Sequence, residues 1–221
     1  MTCDTSRVVG DPFVLVIGVV VLALVAVPVT STWVGSLVTV AHEGGHLVVA
    51  VLSGRNPQHF LVNERKGGGS TTAVLKWGVT LPLVLAAGYL TPPLAGLAGA
   101  ALVVAGKSWS LLWVAIILLL GAWAKSQGLF TGLIVLLAGA GVGYVAVEGS
   151  PQVQSVLAVA LVWLMLLGGV RSLVNLGLGA DKSDTAQLSA ATWIPRVVWA
   201  ALFWVVALVC LWFGARLLVG V

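Results

Sequence analysis

Long apolar runs follow one another along this chain, parted by short polar breaks. They occupy about 12–30, 33–53, 82–105, 150–172 and 195–218, with a longer run at 108–147. A hydrocarbon core about 30 Å thick takes about 20 helical residues to cross, so each shorter run reads as one span. The run 108–147 is too long for one helix and is interrupted by Ala124-Lys125-Ser126-Gln127-Gly128, which divides it into 108–124 and 127–147. The pattern predicts an all-α integral membrane protein of seven transmembrane helices, or six if the long run stays whole, forming one domain over 1–221. A polar insertion at 54–76 follows the second run. In it, Phe60-Leu61-Val62 and Thr71-Thr72-Ala73-Val74 flank a Glu-Arg-Lys-Gly-Gly-Gly turn, the pattern of a short cytoplasmic β-hairpin. A second polar stretch, 173–194, holds Asn175, Asp181 and Asp184 ahead of the last helix.

Composition agrees with a bilayer as solvent. Of 221 residues, 60% are hydrophobic and 8% charged, and the mean hydropathy is +1.11, which excludes an ordinary water-soluble domain. Cys3 and Cys210 lie at opposite ends, so neither a disulfide framework nor a cysteine-type zinc site is indicated. The formal charge of +4 is scattered between apolar runs and does not form a nucleic-acid face. Its distribution reports topology. With seven spans and a cytoplasmic N-terminus, Arg7, Arg55, Arg65, Lys66, Lys76, Lys125, Arg171, Lys182 and Arg196 fall inside, and only Lys107 and Arg216 outside. Leaving 108–147 undivided would invert everything after Lys125, so seven spans are preferred. The 12–30 run, longer than a usual signal core and lacking a small-x-small site, reads as a retained signal anchor.

Candidate chemistry lies in the second span, 33–53, as His42-Glu43-Gly44-Gly45-His46. On a helix, residues four apart stand about 40° apart around the axis, so His42 and His46 face the same way and can share one metal ion. Glu43, beside the first ligand, is placed to act as general base on a water at the metal's open position. Two of the three histidines of the chain fall in this pentapeptide, and ionisable groups at membrane depth mark function. Gly44 and Gly45 are poor helix formers and let another backbone come close, whether a neighbouring helix or a substrate strand. A helical rise of 1.5 Å per residue puts the site about 15 Å from the cytoplasmic end, which demands a water-accessible cavity. A catalytic zinc usually has a third protein ligand. Asp184, Asp181 and Glu64 are the candidates, with Asn175 as a polar neighbour, while Ser183-Asp184-Thr185 also reads as a helix N-cap. The contrasting class is a non-catalytic membrane protein, an inactive homologue, scaffold or transporter-like module, whose His/Glu cluster binds metal or packs.

Val-Ala-His-Glu-Gly-Gly-His-Leu at 40–47, Ser-Gly at 53–54, a glycine-rich hairpin, Ala-Gly-Tyr-Leu-Thr-Pro-Pro-Leu-Ala-Gly at 87–96 and Ser-Asp-Thr-Ala-Gln-Leu-Ser-Ala-Ala-Thr-Trp-Ile-Pro at 183–195 keep a recognisable order. The chain thereby resembles the site-2-protease-like intramembrane zinc metallopeptidases of peptidase family M-50, nearest to their short bacterial B-type branch. The resemblance implies a Zn2+-dependent endopeptidase of the bacterial cell membrane that cuts membrane-embedded or membrane-adjacent segments of other proteins. It makes His42 and His46 ligands and Glu43 the base, and favours Asp184 as third ligand over Asp181. The chain departs from better-known members in lacking an Asn-x-x-Pro-x-x-x-Leu-Asp-Gly motif. By analogy the hairpin guides substrate through strand addition, and Tyr89 with Pro92-Pro93 is expected to kink or interrupt the third span and line the cavity.

Overall fold

The computed structural model describes residues 11–54, 59–62, 69–72, 79–126, 129–174, 176 and 183–220. Their elements run α1 (Pro12–Ala26), α2 (Pro28–Leu52), β1 (His59–Val62), β2 (Gly69–Thr72), α3 (Leu81–Val104), α4 (Ser108–Lys125), α5 (Leu129–Glu148), α6 (Pro151–Val174), α7 (Asp184–Thr192) and α8 (Arg196–Val219). Each apolar run is helical, and the long run is two helices, α4 and α5, parted at 126–128. The expected hairpin falls largely outside the described residues. Its two strands pair antiparallel, from His59 opposite Thr72 to Val62 opposite Gly69, and the ribbon lies beside α2.

The expectation of seven spanning helices needs correction. Among the described residues, five helices are long and apolar enough to cross a membrane: Trp33–Leu52 within α2, then α3, α5, α6 and α8. α1 has 15 residues and α4 has 18, about 22 and 27 Å at 1.5 Å per residue, short of a core of about 30 Å. The cause at α1 is Pro28. Its missing N–H leaves the Leu24 carbonyl without the usual helical donor, and Val27 before it turns extended. The Thr30 hydroxyl donates to that Leu24 carbonyl instead, at 2.8 Å. The expected 12–30 helix therefore becomes a short α1 and the start of α2. An eighth helix, α7, occupies the second polar stretch, and Ser183 caps it by accepting from the Ala186 N–H.

Pro92 and Pro93 do not interrupt the third span, because α3 runs unbroken from Leu81 to Val104 with both inside it. Lacking N–H groups, they withdraw the i+4 donors of the Gly88 and Tyr89 carbonyls only. α3 is the centre of the bundle and packs against α2, α6, α7 and α8. The larger apolar core joins Val14, Val38, Val103, Leu112, Val159 and Leu218 from six helices. Within it the Trp163 indole of α6 donates to the Val14 carbonyl at 3.1 Å, which ties α1 to the bundle. A second core seats α7: Leu188, with no exposed surface, packs with Leu85, Leu173, Phe203 and Ala207. Val19, Leu137 and Trp212 lie on outer faces, each more than 60% exposed, as lipid-facing side chains do in a multi-pass membrane protein.

Candidate metal centre

The helical period of α2 sets His42 and His46 one turn apart on the face toward α3. Two glycines allow the helices to meet there. A Cβ on Gly45 would stand 2.8 Å from the Ala87 carbonyl oxygen and press on Thr91, whereas one on Gly44 would meet nothing within 4 Å. The pair thus has separate roles, and the close approach belongs to Gly45. On α3, Gly88 lies against both imidazoles, where a Cβ would be 2.6 Å from Cε1 of His42. Real Cβ atoms essentially never come that near a heavy atom, so any larger residue here would push the imidazoles aside.

The third group arrives from far along the chain. α7 begins at Asp184, and its docking on α3 and α8 carries that carboxylate to the histidines. Asp184 Oδ2 lies 3.2 Å from His42 Nε2 and 3.4 Å from His46 Nε2. The two Nε2 atoms are themselves 3.2 Å apart. A tetrahedral zinc with metal–ligand distances near 2.0–2.1 Å holds its ligand atoms about 3.3–3.4 Å apart. The three edges match that spacing, and the donor set of two imidazoles and one carboxylate suits zinc. His42, His46 and Asp184 are the group among the described residues whose ligand atoms converge in this way. The alternatives Asp181 and Glu64, with Asn175, lie outside the described residues.

Outer contacts prepare the ligands. His46 Nδ1 lies 2.7 Å from the Val84 carbonyl oxygen on α3. A carbonyl only accepts, so Nδ1 carries a proton and Nε2 is the nitrogen turned to the shared centre. Burial alone would raise the Asp184 carboxyl, but hydrogen bonds from His42 and His46, and their charge, outweigh it and hold the carboxyl well below the usual carboxylate range. It is therefore ionised, as a metal ligand must be. Glu43, next to His42 on α2, is buried at 3% exposure. The Tyr89 ring meets the His42 ring edge to face at 4.6 Å and stacks on Phe203 at 5.1 Å. The side chains of His42 and Asp184 keep 14% and 23% of their surface exposed, so the cluster is not sealed.

Of the residues that the sequence singled out, His42, His46 and Asp184 come together, whereas Val84 and Gly88 were not singled out. Val84 acts through a main-chain oxygen that no side-chain pattern announces. Gly88 carried a signal as a glycine one residue before an aromatic inside an apolar helix.

A family model described as Peptidase M50B-like matches residues 15–214 of the chain. Neither a curated protein nor a solved structure matches it.

Proposed function

The chain belongs to the Peptidase M50B-like family, and from that membership we propose that it is a zinc-dependent endopeptidase cutting peptide bonds in or beside the membrane-spanning segments of other proteins. The observation that carries this reading is the triangle of His42 Nε2, His46 Nε2 and Asp184 Oδ2, with edges of 3.2, 3.2 and 3.4 Å. His42, His46 and Asp184 would hold the ion. Zinc bound there supplies a Lewis acid that polarises a carbonyl and makes water nucleophilic near neutral pH.

The rest of the chemistry falls to the chain's own groups. Glu43 stands one residue from the first ligand and is buried beside it in sequence on α2. It takes a proton from the attacking water and delivers it to the departing amine as the peptide bond breaks. Val84 keeps His46 in one tautomer throughout. The β1–β2 ribbon beside α2 offers backbone hydrogen bonds to a substrate segment that has unwound into an extended form.

The test is made on purified protein with a membrane-anchored reporter. Zinc is measured in wild type, Glu43→Gln and His42→Ala, and cleavage is followed in each. Retained zinc with lost cleavage in Glu43→Gln, and loss of both in His42→Ala, is the expected result. Full cleavage by Glu43→Gln, or a wild type without zinc, returns the chain to the class of non-catalytic membrane proteins.

A further inference from the structure

The two histidines are held by different means. His46 has a hydrogen-bond partner for its Nδ1 in the Val84 carbonyl. His42 uses Nε2 toward Asp184 and His46. Contacts behind a ligand imidazole fix its orientation and so tighten the ligand set. What meets the His42 ring is Tyr89, edge to face with centroids 4.6 Å apart and planes at 80°. This is the geometry that the aromatic quadrupole favours, at the short end of the usual range. Tyr89 is in turn backed by Phe203 of α8, stacked at 5.1 Å with planes 26° apart, and Phe203 is 1% exposed. The three rings form a row from the core of α8 to the metal-facing imidazole.

We infer that Tyr89 is a positioning residue for His42, fixing the imidazole through ring contact, with Phe203 as its backstop. The role belongs to the aromatic ring and not to the hydroxyl. It rests on the zinc reading of the site given above, and it adds a determinant of metal affinity that contributes no ligand atom.

The experiment uses the full chain in detergent and measures zinc affinity by chelator competition, together with the visible d–d spectrum of the cobalt-substituted protein, which reports ligand orientation. Tyr89→Leu is expected to weaken zinc binding about tenfold, the lower end of what losing an outer contact costs, and to move the cobalt bands. Tyr89→Phe keeps the ring and is expected to stay within about twofold of wild type in affinity, with unmoved bands. Should Tyr89→Leu fold poorly, Phe203→Leu leaves the site residues intact and is expected to move the same bands with a smaller loss of zinc. Wild-type affinity and bands in both leucine variants overturn the inference. So does a Tyr89→Phe variant that loses as much zinc as Tyr89→Leu, which assigns the effect to the hydroxyl. A wild type that binds zinc but cleaves nothing sinks the protease reading and leaves this comparison standing, whereas one that binds no zinc overturns both.

Discussion

Gly88 on α3 and His42 on α2 approach so closely that a Cβ at position 88 would lie 2.6 Å from His42 Cε1. The contact makes a backbone position on one helix a condition for ligand geometry on another. Gly88→Ala is expected to lower zinc affinity by tenfold or more, about 1.4 kcal/mol, because the imidazoles must shift to admit the methyl group. The same change favours helix formation in α3 by about 1 kcal/mol. Metal content should therefore fall without a matching fall in the unfolding temperature of the metal-free protein, which chelator competition and thermal melting together would check.

The adjacent glycines of the motif should part company. Gly45→Ala forces a methyl group onto the Ala87 carbonyl and Thr91, and overpacking of this kind costs about 1–3 kcal/mol. Gly44→Ala enters open space and should be neutral or stabilising by up to about 1 kcal/mol. Melting temperatures of the two variants in the same detergent, one lowered and one held or raised, are the expected outcome. Equal effects would contradict the packing described for α2 and α3.

Asp184→Ala removes the carboxylate and leaves two imidazoles 3.2 Å apart with no anionic ligand. Zinc should be lost at chelator concentrations that wild type withstands. Asp184→Asn keeps the shape and the Ser183 cap but not the charge, so it should bind zinc more weakly than wild type and no better than a few-fold above the alanine variant. Titration with a zinc-sensitive dye separates the three proteins.

Leu188 is fully buried in the second core, on the same short helix as Asp184. Leu188→Ala should cost about 2–5 kcal/mol as a large-to-small core change. It should also weaken zinc binding, because α7 has no other fully buried large side chain to seat it. A variant that loses stability yet keeps full zinc affinity would show that Asp184 is placed independently of α7 docking.

The helices were legible because a bilayer leaves the chain few options, and apolar runs of sufficient length become helices whatever their detailed order. The divide at Ser126 was legible for the same reason, since a lysine, a serine and a glutamine break the run. The end of α1 was misread although Pro28 stood in plain view. Its effect is to free one carbonyl and straighten the residue before it, and a window scoring apolar content does not register that. Pro92-Pro93 do not interrupt α3, because its packing within the bundle holds the helix through the loss of two donors. His42, Glu43 and His46 could be read from helical period alone. Asp184 needed the resemblance to single it out, since its approach to His42 depends on how α7 docks on α3 and α8, a relation that no local pattern encodes.

The separation of the ligands along the chain has a temporal side. Asp184 stands 142 residues beyond His42, and five helices, α3 to α7, must be made before or with it. A growing chain on the ribosome that has already inserted α2 therefore carries two imidazoles and a glutamate but no closed ligand set. Fragments that stop before α7, whether from stalled synthesis or from degradation, hold the motif without the carboxylate that completes the cluster.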